Sequence, residues 1–357
     1  MPLDQNYLSL PIYKFEKNQK DEFLLNSLKN LSQFHFNKCK EYRKIIKSKN
    51  INIKKINEIK ELPYIPVSLF KNYSLKSIPD QEIFKTLFSS GTTGQNLSKI
   101  FLDKSTANNQ SIVLIKILQD LLGKSRLPML IVDHPYVVKD RSSFSARGAG
   151  IVGLYSFGHS HTYALNEDMS LNLSNMNEFV NKFSNTPTLI IGFTFIIWKY
   201  LIKVLEEKKL NLNLNNSLLL HSGGWKKLSD ISVNNDFFKS SIKKFLGIKK
   251  VHNYYGMVEQ VGSIFVECEE GYLHPPIFSD IIIRDKISLK QIGINKVGII
   301  QVISCLPKSY PGHSLLTEDL GIIHGIDNCK CGRKGKYFSI KRRLKKSELR
   351  GCSDTQS

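Results

Sequence analysis

A run of small residues, SSGTTG at positions 89–94, has the composition of a phosphate-binding loop. It follows an apolar stretch, and Lys99 comes shortly after its last glycine. Glycines adopt backbone conformations that other residues avoid, hydroxyl groups donate hydrogen bonds to phosphate oxygens, and a lysine adds positive charge. The loop is therefore a candidate anion-binding site, although an ordinary polar turn contains the same residue types.

Four further stretches place glycines or charged residues after predicted strands or near the C-terminus. They are HSGGW at 221–225, YYGMVE at 254–259, LLTEDLG at 315–321 and IKRRLKK at 340–346. Each stretch alone is a weak signal, because a glycine or aspartate at the end of a strand is usually part of a turn. Their order behind the SSGTTG loop is the informative feature.

The elements that must position these residues follow from the hydrophobic pattern. Residues 16–48 have apolar side chains at helical spacing, and Ser105 is a predicted N-cap of a helix that ends at Leu122. Helical patterns at 195–207 and 237–246 separate short apolar runs, so the chain is predicted to form α/β layers. The predicted strands are at 129–132, 188–191, 217–220, 250–254 and 298–303.

The composition excludes some classes of protein. The chain has 357 residues, of which 41% are hydrophobic, so it can form one large domain or two ordinary ones. Six cysteines without regular spacing favour a reduced, cytoplasmic protein over a disulfide scaffold. The first ten residues lack the pattern of a signal peptide, and the most apolar stretch, 187–198, is too short to span a bilayer.

The formal net charge is +20, from 51 Lys and Arg against 31 Asp and Glu. A surplus of this size is also found in proteins that bind nucleic acids. Here the lysines are spread along the whole chain among Asn and Ile, as in residues 47–60, and no zinc-finger spacing or aromatic RNA-binding motif is present. A basic nucleic-acid-binding module, with salt-dependent DNA binding, is therefore the disfavoured alternative.

The five stretches together resemble the ordered motifs of the adenylate-forming superfamily: SGTTG, SGG, YGxxE, TxDxG and a basic hinge. Within it, the sequence is most similar to the acyl-protein synthetase (LuxE) family of bacterial fatty-acid reductase systems, with phenylacetate–CoA ligases next. The resemblance covers about residue 60 to the C-terminus. The segments that carry it are LPYIPVSLFK, FSSGTTG, SFSARGAGIVG, NYYGMVEQVG, PGHSLLTEDLG and KKSELRGCSDT.

The resemblance implies an α/β fold like the N-terminal domain of adenylate-forming enzymes, and a ligase that uses ATP and Mg²⁺. It implies that a long-chain fatty acid is converted to acyl-AMP with release of pyrophosphate, and that the acyl group then moves to a cysteine of the enzyme. A partner acyl reductase in a multienzyme complex, associated with luminescence, would make the aldehyde. No nucleic acid and no membrane span are expected.

The resemblance also assigns an ATP site residue by residue. Gly223 and Gly224 would let the backbone lie flat against the adenine, and Tyr255, followed by Gly256, could stack on it. Asp319 would accept hydrogen bonds from both ribose hydroxyls, and Glu259 is a predicted Mg²⁺ ligand. The β- and γ-phosphates would be held by Ser89, Ser90, Gly91, Thr92, Thr93 and Gly94, with Lys99 as an additional positive charge.

The sequence departs from the superfamily near its C-terminus. Arg342 stands where the hinge motif usually has glycine, and the small C-terminal domain of the superfamily is not expected to follow. The predicted organisation is an N-terminal helical segment at 1–60, an adenylate-forming domain at 61–346 and a mobile tail at 347–357. Arg343 and Lys345 match the hinge and could offset charge on the α-phosphate, or they belong to a solvated basic tail.

The missing domain favours an internal acyl acceptor, and the resemblance implies Cys352. A thiol near a mobile chain end can reach an acyl-adenylate, and nearby Arg350 would raise its thiolate fraction. The alternatives are an incidental terminal cysteine or transfer to CoA or a carrier protein in lipid or polysaccharide biosynthesis. Cys305, in an apolar run, is the weaker candidate acceptor.

Four other residues have the spacing of a metal site. Cys268 and His274 form C-x5-H, and Cys329 and Cys331 form C-x-C. Phenylacetate–CoA ligases have a similar arrangement, in which the four ligands suit tetrahedral zinc. The resemblance thus implies a structural Zn²⁺ site, with four reduced loop residues as the alternative.

Overall fold

The structure, a computed structural model, describes residues 9–89, 97–138, 146–225 and 232–344. Its longer helices are α1 (Lys17–Lys38), α2 (Lys40–Ser48), α3 (Leu69–Asn72), α4 (Lys104–Leu122), α5 (Ala146–Leu154), α6 (Leu173–Phe183), α7 (Thr194–Ile196, Ile197–Ile202 and Lys203–Glu207 in succession) and α8 (Asn235–Leu246). None of the helices in these ranges is long and apolar enough to cross a membrane.

The strands of the same ranges are numbered in chain order. They are β1 (Ile65–Pro66), β2 (Lys85–Phe88), β3 (Lys99–Leu102), β4 (Leu127–Val132), β5 (Gly158–Tyr163), β6 (Thr188–Phe193), β7 (Ser217–Ser222), β8 (Lys250–Tyr255), β9 (Phe265–Glu267), β10 (Leu273–His274), β11 (Ser279–Arg284), β12 (Gly298–Ser304), β13 (Ser314–Ile326) and β14 (Lys336–Arg343).

The chain divides into two compact units. The central unit is continuous and contains residues 122–255, whereas the terminal unit combines residues 1–121 with 256–357. The predicted segments 1–60, 61–346 and 347–357 describe a different division of the chain and stay a prediction.

The central unit contains a parallel sheet with the strand order β5-β4-β6-β7-β8. Every residue of β7 is buried, and its sequence SLLLHS has no alternation of polar and apolar residues. Such runs are typical of parallel strands that are covered on both faces. Helices α6, α7 and α8 contribute Phe179, Trp198 and Phe238 to the hydrophobic core against this sheet.

The terminal unit contains an antiparallel sheet in the order β11-β12-β13-β14-β10-β9. The short β1 lies parallel to the start of β13, where Ile65 pairs with Leu315. Strands β2 and β3 form a separate antiparallel hairpin in which Phe88 pairs with Lys99. The pairing of β1 with β13 brings residues that are distant in the chain into one unit.

Helix α1 is fixed to the C-terminal half of the terminal unit by polar contacts. The Lys17 backbone N–H donates to the Asp327 carboxylate, with the nearer oxygen at 3.1 Å, and the buried Lys20 ammonium donates to the Pro275 carbonyl at 2.8 Å. Near its C-terminal end, the His35 Nε2–H donates to the Pro307 carbonyl at 3.2 Å. The predicted helices of residues 16–48 are confirmed.

The predicted strands lie within β4, β6, β7, β8 and β12, and the helical patterns at 195–207 and 237–246 lie within α7 and α8. The prediction for Ser105 is wrong. Helix α4 begins at Lys104, and the Asp103 carboxylate accepts a hydrogen bond from the Thr106 backbone N–H at 2.6 Å. An aspartate at this position is an equally good cap, and it precedes Ser105 in the chain.

Candidate functional site

The hairpin β2–β3 closes at the base of the predicted phosphate loop. The Ser98 backbone N–H donates to Ser89 Oγ at 2.9 Å, and the Ser89 N–H donates to the Ser98 carbonyl at 3.1 Å. These bonds hold the two ends of the loop next to each other. The other predicted loop residues, Ser90, Gly91, Thr92, Thr93 and Gly94, lie outside the described residues.

Gly223 and Gly224 follow the carboxyl end of β7 in the central unit. Gly223 has a φ of +84°, and a Cβ added to it would lie 3.0 Å from the Phe193 ring at the end of β6. A Cβ added to Gly224 would meet no atom of the described residues within 4 Å. Both glycines are exposed, so the backbone of Gly224 is open to a ligand.

The same edge of the parallel sheet carries Tyr255. Strands β6, β7 and β8 are adjacent, with Phe193 opposite Ser222 and Ser222 opposite Tyr254. The Thr194 hydroxyl donates to the Ser222 carbonyl at 3.1 Å and fixes the chain just before the glycines. Ligands of open α/β sheets bind at the carboxyl ends of parallel strands, and the predicted adenine-binding residues of the central unit lie at this edge.

A buried ion pair at this edge was not predicted from the sequence. Asp133 directly follows β4 and is fully buried, and the Arg147 Nε of α5 lies 3.2 Å from Asp133 Oδ2. Arg147 Nη2 also donates to His134 Nε2 at 3.0 Å. Burial raises the pKa of Asp133, and the positive charge of Arg147 opposes that shift. Two features of the sequence could have indicated this ion pair. Asp133 directly follows a predicted strand, and Arg147 lies in the segment SFSARGAGIVG.

Glu259 is buried in the terminal unit, with 6% of its surface exposed. Burial raises the pKa of its carboxyl group, whereas the Ser98 hydroxyl and the positive charges of Lys71 and Arg343 lower it. The neighbouring Gln260 donates a hydrogen bond from Nε2 to the Gly312 carbonyl at 2.8 Å. This bond fixes the backbone next to Glu259. Mg²⁺ beside phosphates is usually held by one or two carboxylates, which is the role predicted for Glu259.

Asp319 lies in the middle of β13, where the chain is locally fixed. Its backbone N–H donates to Thr317 Oγ1 at 3.1 Å, and the Thr317 hydroxyl donates to the Ile300 carbonyl at 2.7 Å. Across the sheet Asp319 pairs with Arg343 of β14, whose guanidinium contacts the carboxylate of Glu318. Lys345 lies outside the described residues. The basic residue of the predicted hinge is thus placed opposite the predicted ribose-binding carboxylate.

The four predicted metal ligands come together in the terminal unit. The ligand atoms of Cys268, His274, Cys329 and Cys331 all lie within 4.8 Å of one another. The sulfur atoms of Cys268 and Cys329 are 4.0 Å apart, and Cys331 Sγ is 3.5 Å from His274 Nε2. Tetrahedral zinc with bonds of about 2.3 Å to sulfur and 2.0–2.1 Å to nitrogen requires separations of about 3.8 and 3.5 Å, so the residues fit this metal.

The predicted acyl acceptor, Cys352, lies outside the described residues. The alternative acceptor, Cys305, is buried, and its thiol donates to the Phe278 carbonyl at 3.3 Å. Burial raises the pKa of Cys305 to about 12, so almost no thiolate forms at neutral pH. Cys305 therefore has the properties of a structural thiol.

A family model described as acyl-protein synthetase, LuxE, matches residues 3–357. The chain belongs to the LuxE acyl-protein synthetase family. Two relatives of this LuxE family member are long-chain-fatty-acid–luciferin-component ligases. The ligase from Vibrio harveyi is 23% identical over 347 residues, which cover 92% of this chain and 86% of the relative. The ligase from Aliivibrio fischeri is 22% identical over 335 residues, which cover 90% and 84%.

The fold of this LuxE family member is similar to that of a solved ligase. The crystal structure of 2-hydroxyisobutyryl-CoA ligase in an open conformation superposes with a TM-score of 0.70 at 15% identity, over 93% of this chain and 76% of the ligase. The predicted family and fold class are therefore confirmed. The roles assigned to single residues stay predictions.

Proposed function

We propose that this protein activates a long-chain fatty acid with ATP and transfers the acyl group to its own Cys352 for delivery to an acyl reductase. The observation that carries the proposal is the LuxE family match over residues 3–357. Two arrangements support it: the glycine pair at the carboxyl ends of parallel strands and the buried carboxyl group of Glu259.

In the first step, a carboxylate oxygen of the fatty acid attacks the α-phosphorus of ATP, and pyrophosphate leaves as the bond to the β-phosphate oxygen breaks. The loop that begins at Ser89 would hold the β- and γ-phosphates. Glu259 would hold Mg²⁺, which neutralises phosphate charge, and Asp319 would accept hydrogen bonds from the ribose hydroxyls. Arg343 and Lys345 would offset the charge that develops on the α-phosphate.

In the second step, the Cys352 thiol loses its proton and the thiolate attacks the acyl carbonyl carbon. The bond between that carbon and the AMP oxygen breaks, so AMP leaves and an enzyme thioester remains. The acyl group then passes to a reductase partner, which makes the aldehyde. An internal acceptor requires no CoA site.

We also propose that Cys268, His274, Cys329 and Cys331 bind a structural Zn²⁺. Their separations match a tetrahedral site, and two thiolates from C-x-C with one further thiolate and one imidazole are a common zinc ligand set. The metal would connect the turn after β9 to the turn between β13 and β14.

The test is ATP–pyrophosphate exchange with long-chain fatty acids, followed by labelling with radioactive fatty acid. We expect exchange that depends on the acid and a label that neutral hydroxylamine removes. Cys352→Ser should keep exchange and lose the hydroxylamine-labile label, because adenylation does not need the thiol. Cys39 is the buried N-cap residue of α2. The Cys39→Ser variant should keep both the exchange activity and the hydroxylamine-labile label.

Other outcomes would contradict the proposal. A hydroxylamine-labile label that persists in Cys352→Ser would move the acceptor to another cysteine, with Cys305 the next to substitute. Release of acyl-CoA without a protein-bound label would indicate CoA as the acceptor. Salt-dependent DNA binding without exchange would indicate the nucleic-acid-binding module.

A further inference from the structure

The connection between β11 and β12, residues 285–297, has no role in the proposed reaction. Its sequence is DKISLKQIGINKV. It exposes three large apolar side chains: Ile287 is 90% exposed, Val297 46% and Ile294 44%. A single apolar side chain on a protein surface needs no explanation, whereas several within one short connection indicate an interaction site.

The turn that contains Ile287 is held by hydrogen bonds. The Asp285 carboxylate accepts from the Ser288 N–H at 2.8 Å and from the Ile287 N–H at 3.1 Å. At the base of the turn, the Arg284 Nη1–H donates to the Leu289 carbonyl at 2.9 Å. The backbone thus keeps Ile287 at the tip of a defined turn, where its side chain faces solvent.

The second half of the connection, which contains the other two exposed side chains, is attached to β13. The Asn295 N–H donates to the Ile323 carbonyl at 2.8 Å. Gly298, where β12 begins, is packed so closely that an added Cβ would clash with the Arg284 carbonyl oxygen. Both ends of the connection are therefore fixed to the antiparallel sheet.

The same connection is basic. It contains Lys286, Lys290 and Lys296 against one carboxylate, that of Asp285, which accepts hydrogen bonds within the turn. Lys290 and Lys296 are exposed. Positive charges beside exposed apolar side chains attract a surface that is both anionic and apolar.

Residues 57–61 lie against the base of the connection, where the Arg284 Nη2–H donates to the Lys60 carbonyl at 2.9 Å. This segment has two glutamates. Glu58 pairs with the Lys60 ammonium at 2.7 Å, and Glu61 accepts from the Asn57 N–H at 2.9 Å. Lys60 and Arg284 balance these two carboxylates, so the lysines of the connection are not neutralised from this side.

The residue types favour a lipid surface over a protein partner. Protein–protein interfaces are enriched in aromatic residues, Met and Arg, and they are depleted of Lys. Residues 285–297 have Ile, Leu, Val and Lys but no aromatic residue, Met or Arg. A protruding apolar tip also suits a lipid layer, which deforms around it, whereas a protein partner would need a complementary cavity.

We propose that residues 285–297 bind the surface of an anionic lipid bilayer, with Ile287 inserted at the headgroup level and Lys290 and Lys296 beside lipid phosphates. This inference goes beyond the proposed function, although the proposed substrate agrees with it. Long-chain fatty acids dissolve in bilayers, because each methylene group is more stable there than in water. The enzyme would thus bind where its substrate is concentrated.

The first test is co-sedimentation of the full chain with vesicles of phosphatidylcholine and phosphatidylglycerol, compared with vesicles of phosphatidylcholine alone. The variants are Ile287→Ser and the double substitution Lys290→Gln with Lys296→Gln. Melting temperatures establish that each variant is folded. This measurement needs no turnover, so it is independent of the proposed function.

The chain offers a matched control region at residues 208–210 of the central unit. Lys208 and Lys209 are exposed there beside Leu210, which is 36% exposed. Leu210→Ser removes an exposed apolar side chain, and Lys208→Gln with Lys209→Gln removes two positive charges. These variants therefore match the changes made in the β11–β12 connection without touching it.

We expect the wild type to sediment with the anionic vesicles and not with phosphatidylcholine alone, and salt should weaken the binding. Ile287→Ser should lower the vesicle affinity by roughly tenfold. The double lysine variant should lower it by about twentyfold or more, since each lysine near an anionic surface contributes about fivefold. Both control variants should bind like wild type.

A second measurement uses pyrophosphate exchange with one fatty acid supplied in two ways, dissolved in anionic vesicles or bound to serum albumin without lipid. Ile287→Ser should lower the rate with vesicles and keep the wild-type rate with albumin. If the wild type shows no exchange with either supply, the proposed function fails, and vesicle sedimentation still decides the role of the connection.

Wild-type protein that does not sediment with the anionic vesicles would overturn the inference. An equal loss of affinity in the connection variants and the controls would do the same, because it would reflect the overall charge of the protein alone. Vesicle affinity that is equal in wild type and Ile287→Ser would also overturn it, and would assign the exposed side chains to a protein partner instead.

Discussion

Gly223 and Gly224 are neighbours in the chain, but their surroundings differ. Gly223 has a left-handed φ and lies against Phe193, so the fold itself requires glycine there. Gly224 has open space where a side chain would begin. No described residue requires glycine at position 224, so the pair offers a test of the adenine assignment.

We expect Gly224→Ala to leave the melting temperature unchanged and to raise the KM for ATP by roughly tenfold, because the added methyl group would separate the adenine from the backbone. Gly223→Ala should lower the free energy of unfolding by about 1 kcal/mol or more, since alanine is strained at positive φ. Thermal melts measure the stability of each variant, and ATP titrations in the pyrophosphate-exchange assay measure the KM for ATP. A Gly224→Ala enzyme with normal ATP dependence would place the adenine elsewhere.

At this scale the sequence motifs pointed to some candidate site residues and not to others. Glu259 and Asp319 could be proposed because each stands inside a short contiguous pattern, and their roles stay predictions. Asp133 and Arg147 were missed, because the pair forms only when the end of β4 meets α5, and no local spacing encodes that contact.

The elements that hold the proposed zinc are short turns. Cys268 lies just after β9 and His274 ends β10, whereas Cys329 and Cys331 lie in the turn between β13 and β14. Tyr337 of β14 stacks on the His274 ring, with centroids 6.0 Å apart. Turns of this size have little hydrophobic area of their own, so a metal would contribute much of their stability.

We expect the purified protein to contain about one zinc per chain, measured by elemental mass spectrometry, because the four ligands fit one tetrahedral ion. Cys331→Ser should lose the metal and lower the melting temperature by roughly 5–10 °C, if a few kcal/mol of stability are lost. Cys39→Ser should retain the zinc. Wild-type protein without zinc, and a Cys331→Ser variant that melts normally, would indicate four reduced cysteine and histidine residues.

The elements themselves were largely predictable, but their partners were not. The apolar runs located β4, β6, β7, β8 and β12 because a buried strand is apolar along its whole length. The antiparallel sheet of the terminal unit depends on pairing between distant segments, such as Ile65 with Leu315, which local pattern does not encode. The cap of α4 was missed because Asp103 and Ser105 are both good capping residues two positions apart.

Across the whole terminal unit, buried neutral histidines connect α1 to the C-terminal half. The rings of His35 and His313 stack with centroids 4.9 Å apart, and His35 Nδ1 accepts from the Ser77 hydroxyl at 2.8 Å. Burial lowers the pKa of His35 to about 3 and that of His313 well below 6.5. Both rings are therefore neutral in the folded protein, whereas the unfolded chain protonates them near pH 6.5.

We expect the free energy of unfolding to fall as the pH drops below about 6.5, since the unfolded state then binds more protons than the folded state. Each of the two histidines should contribute a slope of about 1.4 kcal/mol per pH unit until its folded-state pKa is reached. Urea unfolding at pH 7, 6 and 5 measures this. His313→Gln should reduce the slope.

A slope that is the same in His313→Gln and wild type would show that other groups dominate acid unfolding. Buried His221 and His274 add to the wild-type slope but are present in both proteins, so they do not affect this comparison.

The discontinuous terminal unit also has a consequence for biosynthesis. When the ribosome has completed residue 121, the polar partners of α1 at 275, 307 and 327 have not yet been translated. The central unit, which is continuous, can fold first as it emerges. At about 5–20 residues per second, the N-terminal helices wait on the order of ten seconds or more for their strands. During that interval their apolar faces are exposed, and nascent chains stalled between residues 255 and 344 should be the ones that chaperones bind.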